Sequence, residues 1–376
     1  MQSPVDPATL IARIDALTAG ARTTWFAYLG VLVFVAVTLF GIRDIDFFVQ
    51  DVGVQLPLVG VTVPIATFVL ASAVLITTIN GYLHVVLDEV WAALAAAPAR
   101  FEDGRRLAVA MPPWLVTSFA LHLRGALRAE EERLTRPSTL GRLGAAVTFA
   151  LLFLAGPLLL ASLWLVSQPA HEAWLTLSVG LLAVIAGAMN AASLASLVRE
   201  MRRTPPRRAR LSVALGVVLA ALVAAVSLAR TTWDPMGPGV ARHPDAPGVA
   251  TSLAQWFRPA IANLRLARIT RLTRDWTPHE EASAAFARAW CGARDDASAC
   301  RETGFSDRAF LAAYRRHRGR ALAALEKPDL SDRHMDHADF ALAFLPGVSM
   351  NRARLRRADF ESAVIEGVSA QRADLI

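Results

Sequence analysis

Residues 173–198, AWLTLSVGLLAVIAGAMNAASLASLV, run for 26 positions without a charged side chain. An α-helix rises 1.5 Å per residue, so this run reaches about 39 Å, more than the hydrocarbon core of a bilayer. A water-exposed helix of that length would carry a polar stripe, and this one has none. Four more uncharged runs occupy residues 25–42, 58–82, 145–166 and 211–228. Trp25, Trp164, Trp174 and Trp233 stand at their edges, where interfacial aromatics belong. The pattern predicts about five membrane-spanning helices.

Composition agrees. The chain has 376 residues, 54% of them hydrophobic, with a mean hydropathy of +0.39. The apolar excess lies before residue 230, and the remainder reads as an ordinary polar region. The expected organisation is an amphipathic segment 1–24, a transmembrane domain 25–229 with a cytoplasmic loop 83–143, an extracytoplasmic linker and helical insert 230–327, and a final domain 328–376. Within the loop, residues 84–97 should prolong the second helix to Pro98. Residues 114–123 are too short to cross and should lie at the interface.

Arginine sets the orientation. Arg13 and Arg22 precede the first run. Arg100, Arg105, Arg106, Arg124, Arg128, Arg133, Arg136 and Arg142 fill the second interval, and Arg199, Arg202, Arg203, Arg207, Arg208 and Arg210 the fourth. The opposite intervals hold Arg43 alone. Positive charge stays inside, so the N-terminus is expected in the cytoplasm and residues beyond 230 outside it. The net charge of +7 comes without a dense basic patch, so no nucleic-acid partner is expected.

The last stretch repeats with period five. Small residues recur at Ala338, Ala343, Val348, Ala353, Ala358, Ala363, Val368 and Ala373. Two places after each stand Phe340, Leu345, Met350, Leu355, Phe360, Ile365, Ala370 and Leu375. Positions five apart share neither a helix face nor a strand face, so both series point inward only if the chain turns once per repeat. The core residues expected are Phe340, Leu345, Met350, Leu355, Phe360, Ile365 and Leu375.

The motif, A-[DN]-[LF]-x-x, is cleanest at Ala358-Asp359-Phe360 and Ala373-Asp374-Leu375. It resembles the pentapeptide-repeat family, and the whole layout resembles bacterial multi-span membrane proteins with such a domain at the C-terminus. The resemblance implies a right-handed quadrilateral β-helix. The expected fold class is thus an α-helical transmembrane domain of about five spans, then a small α+β region ending in that β-helix. Some soluble members imitate DNA and bind DNA gyrase. That role needs an acidic rod, whereas here Arg352, Arg354, Arg356 and Arg357 cluster, so it is not expected.

Candidate sites are few. Asp332, His334, Asp336, His337 and Asp339 could be weighed as metal ligands, but they occupy outward repeat positions and read as a solvated face. His279-Glu280-Glu281 lacks the second histidine of a zinc site. No catalytic grouping, cofactor motif or metal site is recognisable, so the chain is not expected to be an enzyme. Cys291 and Cys300, the two cysteines, are expected to form a disulfide if they face an oxidising compartment. Arg352, Arg354, Arg356 and Arg357 are the candidate contact surface. Small residues Ala183, Gly187, Ala191 and Ala195 make a close-packing ladder, so a homo-oligomer could form through helix four or through the open β-helix end.

The functional expectation is a membrane-anchored, non-catalytic protein-interaction or scaffold module at the outer side of the bacterial cytoplasmic membrane. Its partners would be the bilayer and an unidentified protein or envelope component. The alternative is a transporter or channel component, with Asn80, His84 and Asn190 as the polar residues within the spans.

Overall fold

A computed structural model describes residues 7–48, 54–55, 60–98, 101, 106–111, 114–128, 139–202, 210–231, 262, 279–293, 308–325 and 329–375. The chain divides into two compact units. One comprises Met1–Ile42 and Val54–Pro259, the other Arg43–Gly53 and Ala260–Ile376.

The first unit is helical. Helix α1 runs Pro7–Phe40. The expected amphipathic segment 1–24 is therefore not a separate element. No proline interrupts the stretch after Pro7, and the glycines Gly20 and Gly30 stay within the helix. After α1, β1 (Val54–Gln55) pairs antiparallel with β2 (Thr62–Val63). This ladder occupies the start of the expected second span, so α2 begins after Pro64, at Ile65, and continues to Ala96. Ala97 is extended, as the residue before Pro98 should be.

Helix α3 (Leu115–Leu127) is short and amphipathic, burying Val116, Phe119 and Ala120. Helix α4 (Thr139–Phe149), a π-turn (Ala150–Leu154) and α5 (Ala155–Ser167) follow in one line. The last described helices of the unit are α6 (Ala173–Arg202) and α7 (Arg210–Thr231).

Among the described residues, four helical stretches are long and apolar enough to cross a membrane: Thr9–Phe40, Ile65–Ala96, Thr139–Ala170 and Ala173–Arg202. Their outward faces carry Phe26, Val33, Val37, Tyr82, Val85 and Leu158, all exposed. Such a surface suits hydrocarbon rather than water. The fifth expected run lies in α7, whose Leu215–Thr231 portion is apolar but shorter than the other four.

In the second unit, α8 (His279–Gly292) and α9 (Arg308–Ala323) pack through Ala287, Phe310 and Tyr314, with Phe286 and Trp290 beside them. Residues 329–375 form a succession of turns. Parallel bridges join Asp329 to Ser349, His334 to Arg354, Asp339 to Asp359, and so on to Arg354 with Asp374. Residue i donates to the carbonyl of i+19, as in Leu330 to Ser349 and Phe340 to Asp359, at 2.8 and 2.7 Å.

The expected fold class nevertheless needs correction. The described chain is 73% helical with 5% in strand, and each bridge of the C-terminal segment is a single residue. A right-handed quadrilateral β-helix with sheet walls, and the small α+β region, are not what this chain forms. The cause lies in the backbone. Every fifth residue takes a left-handed conformation, including Asp332, His337, Leu342, Gly347, Arg352 and Arg357, at φ between 56° and 69°. One such residue in five ends any extended run before a strand can form. The description as a β-helical repeat protein is withdrawn with the fold class. What repeats is a five-residue turn and bridge within a chain that is nearly all helical.

Leu330, Met335, Phe340, Leu345, Met350 and Leu355 are buried at the centre of these turns, and Phe340 stacks on Phe360 at 4.7 Å. Phe360 is partly buried. Ile365 and Leu375 are 51% and 57% exposed, so they are not core residues here. Asp329, Asp339 and Asp359 each accept a hydrogen bond from the backbone N–H two residues on, at 2.9, 3.0 and 2.9 Å. This Asx turn is the physical reason for Asp at the second position of the motif.

Candidate functional site

Polar groups inside the first unit converge where its long helices meet. Tyr28 of α1 donates to Asn80 Oδ1 of α2 at 3.2 Å. Asn80 Nδ2 donates to Asn190 Oδ1 of α6 at 2.7 Å, and Asn190 Nδ2 donates to the Phe153 carbonyl at 2.8 Å. Asn80, Asn190 and Tyr28 are almost fully buried.

The Phe153 carbonyl is available for a sequence reason. Pro157, four residues on, has no N–H to offer it, and the chain adjusts by the π-turn over Ala150–Leu154. Gly156 is equally specific. A Cβ there would stand 2.1 Å from Tyr28 Oη, so any side chain would expel the tyrosine. His84, one turn beyond Asn80, is buried and its ring lies 5.4 Å from that of Phe153. One turn further, Asp88 accepts from Ser193 at 3.2 Å.

Sequence reading singled out Asn80, His84 and Asn190, and the structure joins the two asparagines directly. It missed Tyr28, because a tyrosine in an apolar run carries no local sign of its partner. A chain of satisfied hydrogen bonds across helices favours a packing role, worth about 0.6–2 kcal/mol per bond in membrane proteins. Asn190→Leu leaves Asn80 Nδ2 and the Phe153 carbonyl unpaired. It is expected to cost about 1–2 kcal/mol, read as a lower melting temperature of the detergent-solubilised chain. An unchanged melting temperature would refute the bridging role.

Helix α3 supplies two more buried groups. Arg124 Nη1 donates to the Leu94 and Ala97 carbonyls at 2.8 and 2.9 Å, capping the C-terminal end of α2. Arg128 Nη2 donates to the Glu200 carbonyl at 3.1 Å and its Nε to that of Met201, near the end of α6. A cation beside unpaired C-terminal carbonyls is stabilising. Two arginines that sequence reading counted only for orientation thus tie α3 to α2 and α6. Their i, i+4 spacing on a short amphipathic helix was the legible sign.

At the C-terminal surface, three of the four candidate contact arginines are engaged by neighbouring turns. Arg352 holds Asp332 through two bonds of 2.6 and 2.5 Å, Arg354 meets Asp336 at 2.7 Å, and Arg356 meets Asp374 at 2.7 Å. Arg352 holds the Asp332 carboxyl below its ordinary value. The cluster is therefore a ladder of ion pairs between turns rather than bare positive charge. His334 lies 3.3 Å from Asp336, and among the described residues no group of three or more His, Cys, Asp or Glu could hold a metal ion.

Helix α9 is fixed to the turns by Arg318, which donates to both oxygens of Glu366 at 2.7 and 2.6 Å. Cys291 is disulfide-bonded, and Cys300, the other cysteine of the sequence, lies outside the described residues. Arg43–Gly53, the segment after α1, belongs to this unit too. Ile45 and Phe48 are buried in one core with Leu330, Met335 and Phe340.

Comparisons with protein-family models, curated proteins and solved structures gave no match.

Proposed function

We propose that the chain is a membrane-anchored, non-catalytic interaction module that presents its C-terminal unit outside the cytoplasm of a bacterium. The observation that carries this reading is the burial of Ile45 and Phe48 in the C-terminal core. Those residues follow α1, so they and residues 329–375 belong on one side of the membrane. This favours an even number of crossings between Gly53 and Ala260. Three of the stretches suited to crossing lie in that interval, and on this reading α7, apolar over Leu215–Thr231, supplies a fourth.

The arginine distribution puts the N-terminus inside. Read with five crossings, this supports a C-terminal unit outside, a side that suits the disulfide at Cys291. The period-five motif supports kinship with pentapeptide-repeat proteins. Exposed Val364, Ile365 and Leu375, near the arginine ladder, supply apolar and polar surface for a protein or envelope partner. The alternative, a transporter or channel component, draws on buried His84 beside the asparagine pair. Loss of flux in Asn80→Leu and Asn190→Leu variants that still fold would favour it.

Orientation is tested in intact cells with a membrane-impermeant thiol reagent. Labelling of Cys291 only after external reduction is the expected result. Labelling confined to lysed cells would overturn the outward orientation.

A further inference from the structure

Along one face of α1 and at the start of α3, five polar atoms are shielded from solvent and have no hydrogen-bond partner among the described residues: Asp15 Oδ1, Thr18 Oγ1, Arg22 Nε, Trp25 Nε1 and Trp114 Nε1. Thr18, Trp25 and Trp114 are 1%, 4% and 7% exposed. Positions 15, 18, 22 and 25 lie on successive turns of one helix face. The rings gather closely: Trp25 meets Trp114 edge-on at 6.2 Å, and the Arg22 guanidinium lies 5.9 Å from the Trp114 ring centre.

An unpaired buried donor is costly, and several along one helix face, three of them gathered around Trp114, point to a ligand that satisfies them together. Arg22, Trp25, Trp114 and the Thr18 hydroxyl offer N–H and O–H groups with one positive charge, which suits a phosphate. Asp15 Oδ1 is an acceptor that a phosphate would repel and an ammonium would pair. Asp15 and Arg22 stand two turns apart on the same face of α1. Tryptophan and arginine at the end of an apolar run are also the residues that sit at headgroup depth.

We propose that this cluster binds the headgroup of an aminophospholipid, its phosphate on Arg22, Trp25 and Trp114 and its primary ammonium on Asp15. A trimethylated amine has no N–H to donate and should be discriminated against. The site requires that α1 lie in a membrane, but not that the C-terminal unit bind a partner.

The test titrates the purified full chain in detergent with short-chain phosphatidylethanolamine, phosphatidylcholine and phosphatidic acid, and with free phosphoethanolamine. Binding is read by tryptophan fluorescence and melting temperature. Phosphatidylethanolamine should bind about tenfold more tightly than phosphatidylcholine, and Asp15→Asn should erase that preference. Arg22→Gln should weaken all phosphate-bearing lipids about tenfold. Trp114→Phe keeps the ring contact, and so the fold, while removing one donor. It should weaken binding several-fold. Equal affinity for the two zwitterionic lipids, or variants that change nothing, overturns the proposal. Free phosphoethanolamine binding as tightly as the lipid overturns the lipid as the source.

Discussion

Replacing Phe340 by alanine is expected to destabilise the C-terminal unit by about 3–5 kcal/mol. Phe340 is fully buried, stacks parallel on Phe360, and lies in one core with Leu330, Met335, Ile45 and Phe48. Truncation removes the ring's burial and leaves a cavity that backbone bonds from Phe340 to Asp359 and from Ala343 to Phe340 keep from collapsing. Amide exchange over residues 329–375 of the full chain is the direct reading. It should accelerate by a factor on the order of 10²–10³. Ile365→Ala is the internal control, because a residue 51% exposed loses little burial. Its cost should stay below about 1 kcal/mol. Equal effects at the two positions would show that the turns share no common core.

Removing the charge of Glu366 is expected to cost about 2–3 kcal/mol at neutral pH. Glu366 holds Arg318 through two short bonds, and the Arg318 side chain is only 9% exposed, so Glu366→Gln removes a negative charge set against a shielded cation. Arg318 holds the Glu366 carboxyl below the ordinary carboxylate range, against burial, which pushes it up. A carboxylate with a lowered folded pKa stabilises the protein above its unfolded value. That contribution fades as pH falls through the folded value. The wild-type and Glu366→Gln chains should therefore differ most near neutrality and converge only in acid, as pH falls through the lowered folded value. A constant difference across that range would assign the effect to packing instead. Gly367 follows at φ 70°, and a Cβ there would reach within 2.9 Å of Leu322, so α9 and the turns meet without spare room.

The site was legible unevenly. Asn80 and Asn190 stood out because an amide in an apolar run is rare, and the structure pairs them. Tyr28, Arg124 and Arg128 did not, because their partners lie 27 to 73 residues away and leave no mark on the local sequence. The candidate contact arginines were visible as a cluster. Their pairing with Asp332, Asp336 and Asp374 became clear only when the turns were stacked.

The uncharged runs alone determined that this chain belongs in a membrane, since transfer of apolar surface is a local sum over residues and survives any arrangement of the helices. The five-residue spacing picked out the buried series from Leu330 to Leu355, but it did not tell that Ile365 and Leu375 in the same register stay exposed. It could not determine how long the chain stays extended between turns. That depended on the left-handed residue in every repeat, which limits pairing to single bridges and leaves a mostly helical protein. Tertiary structure also decided that residues 43–48 close the core of the C-terminal unit. Their burial depends on an apolar surface assembled from residues almost three hundred positions later, and no local pattern in Asp44-Ile45-Asp46-Phe47 announces it.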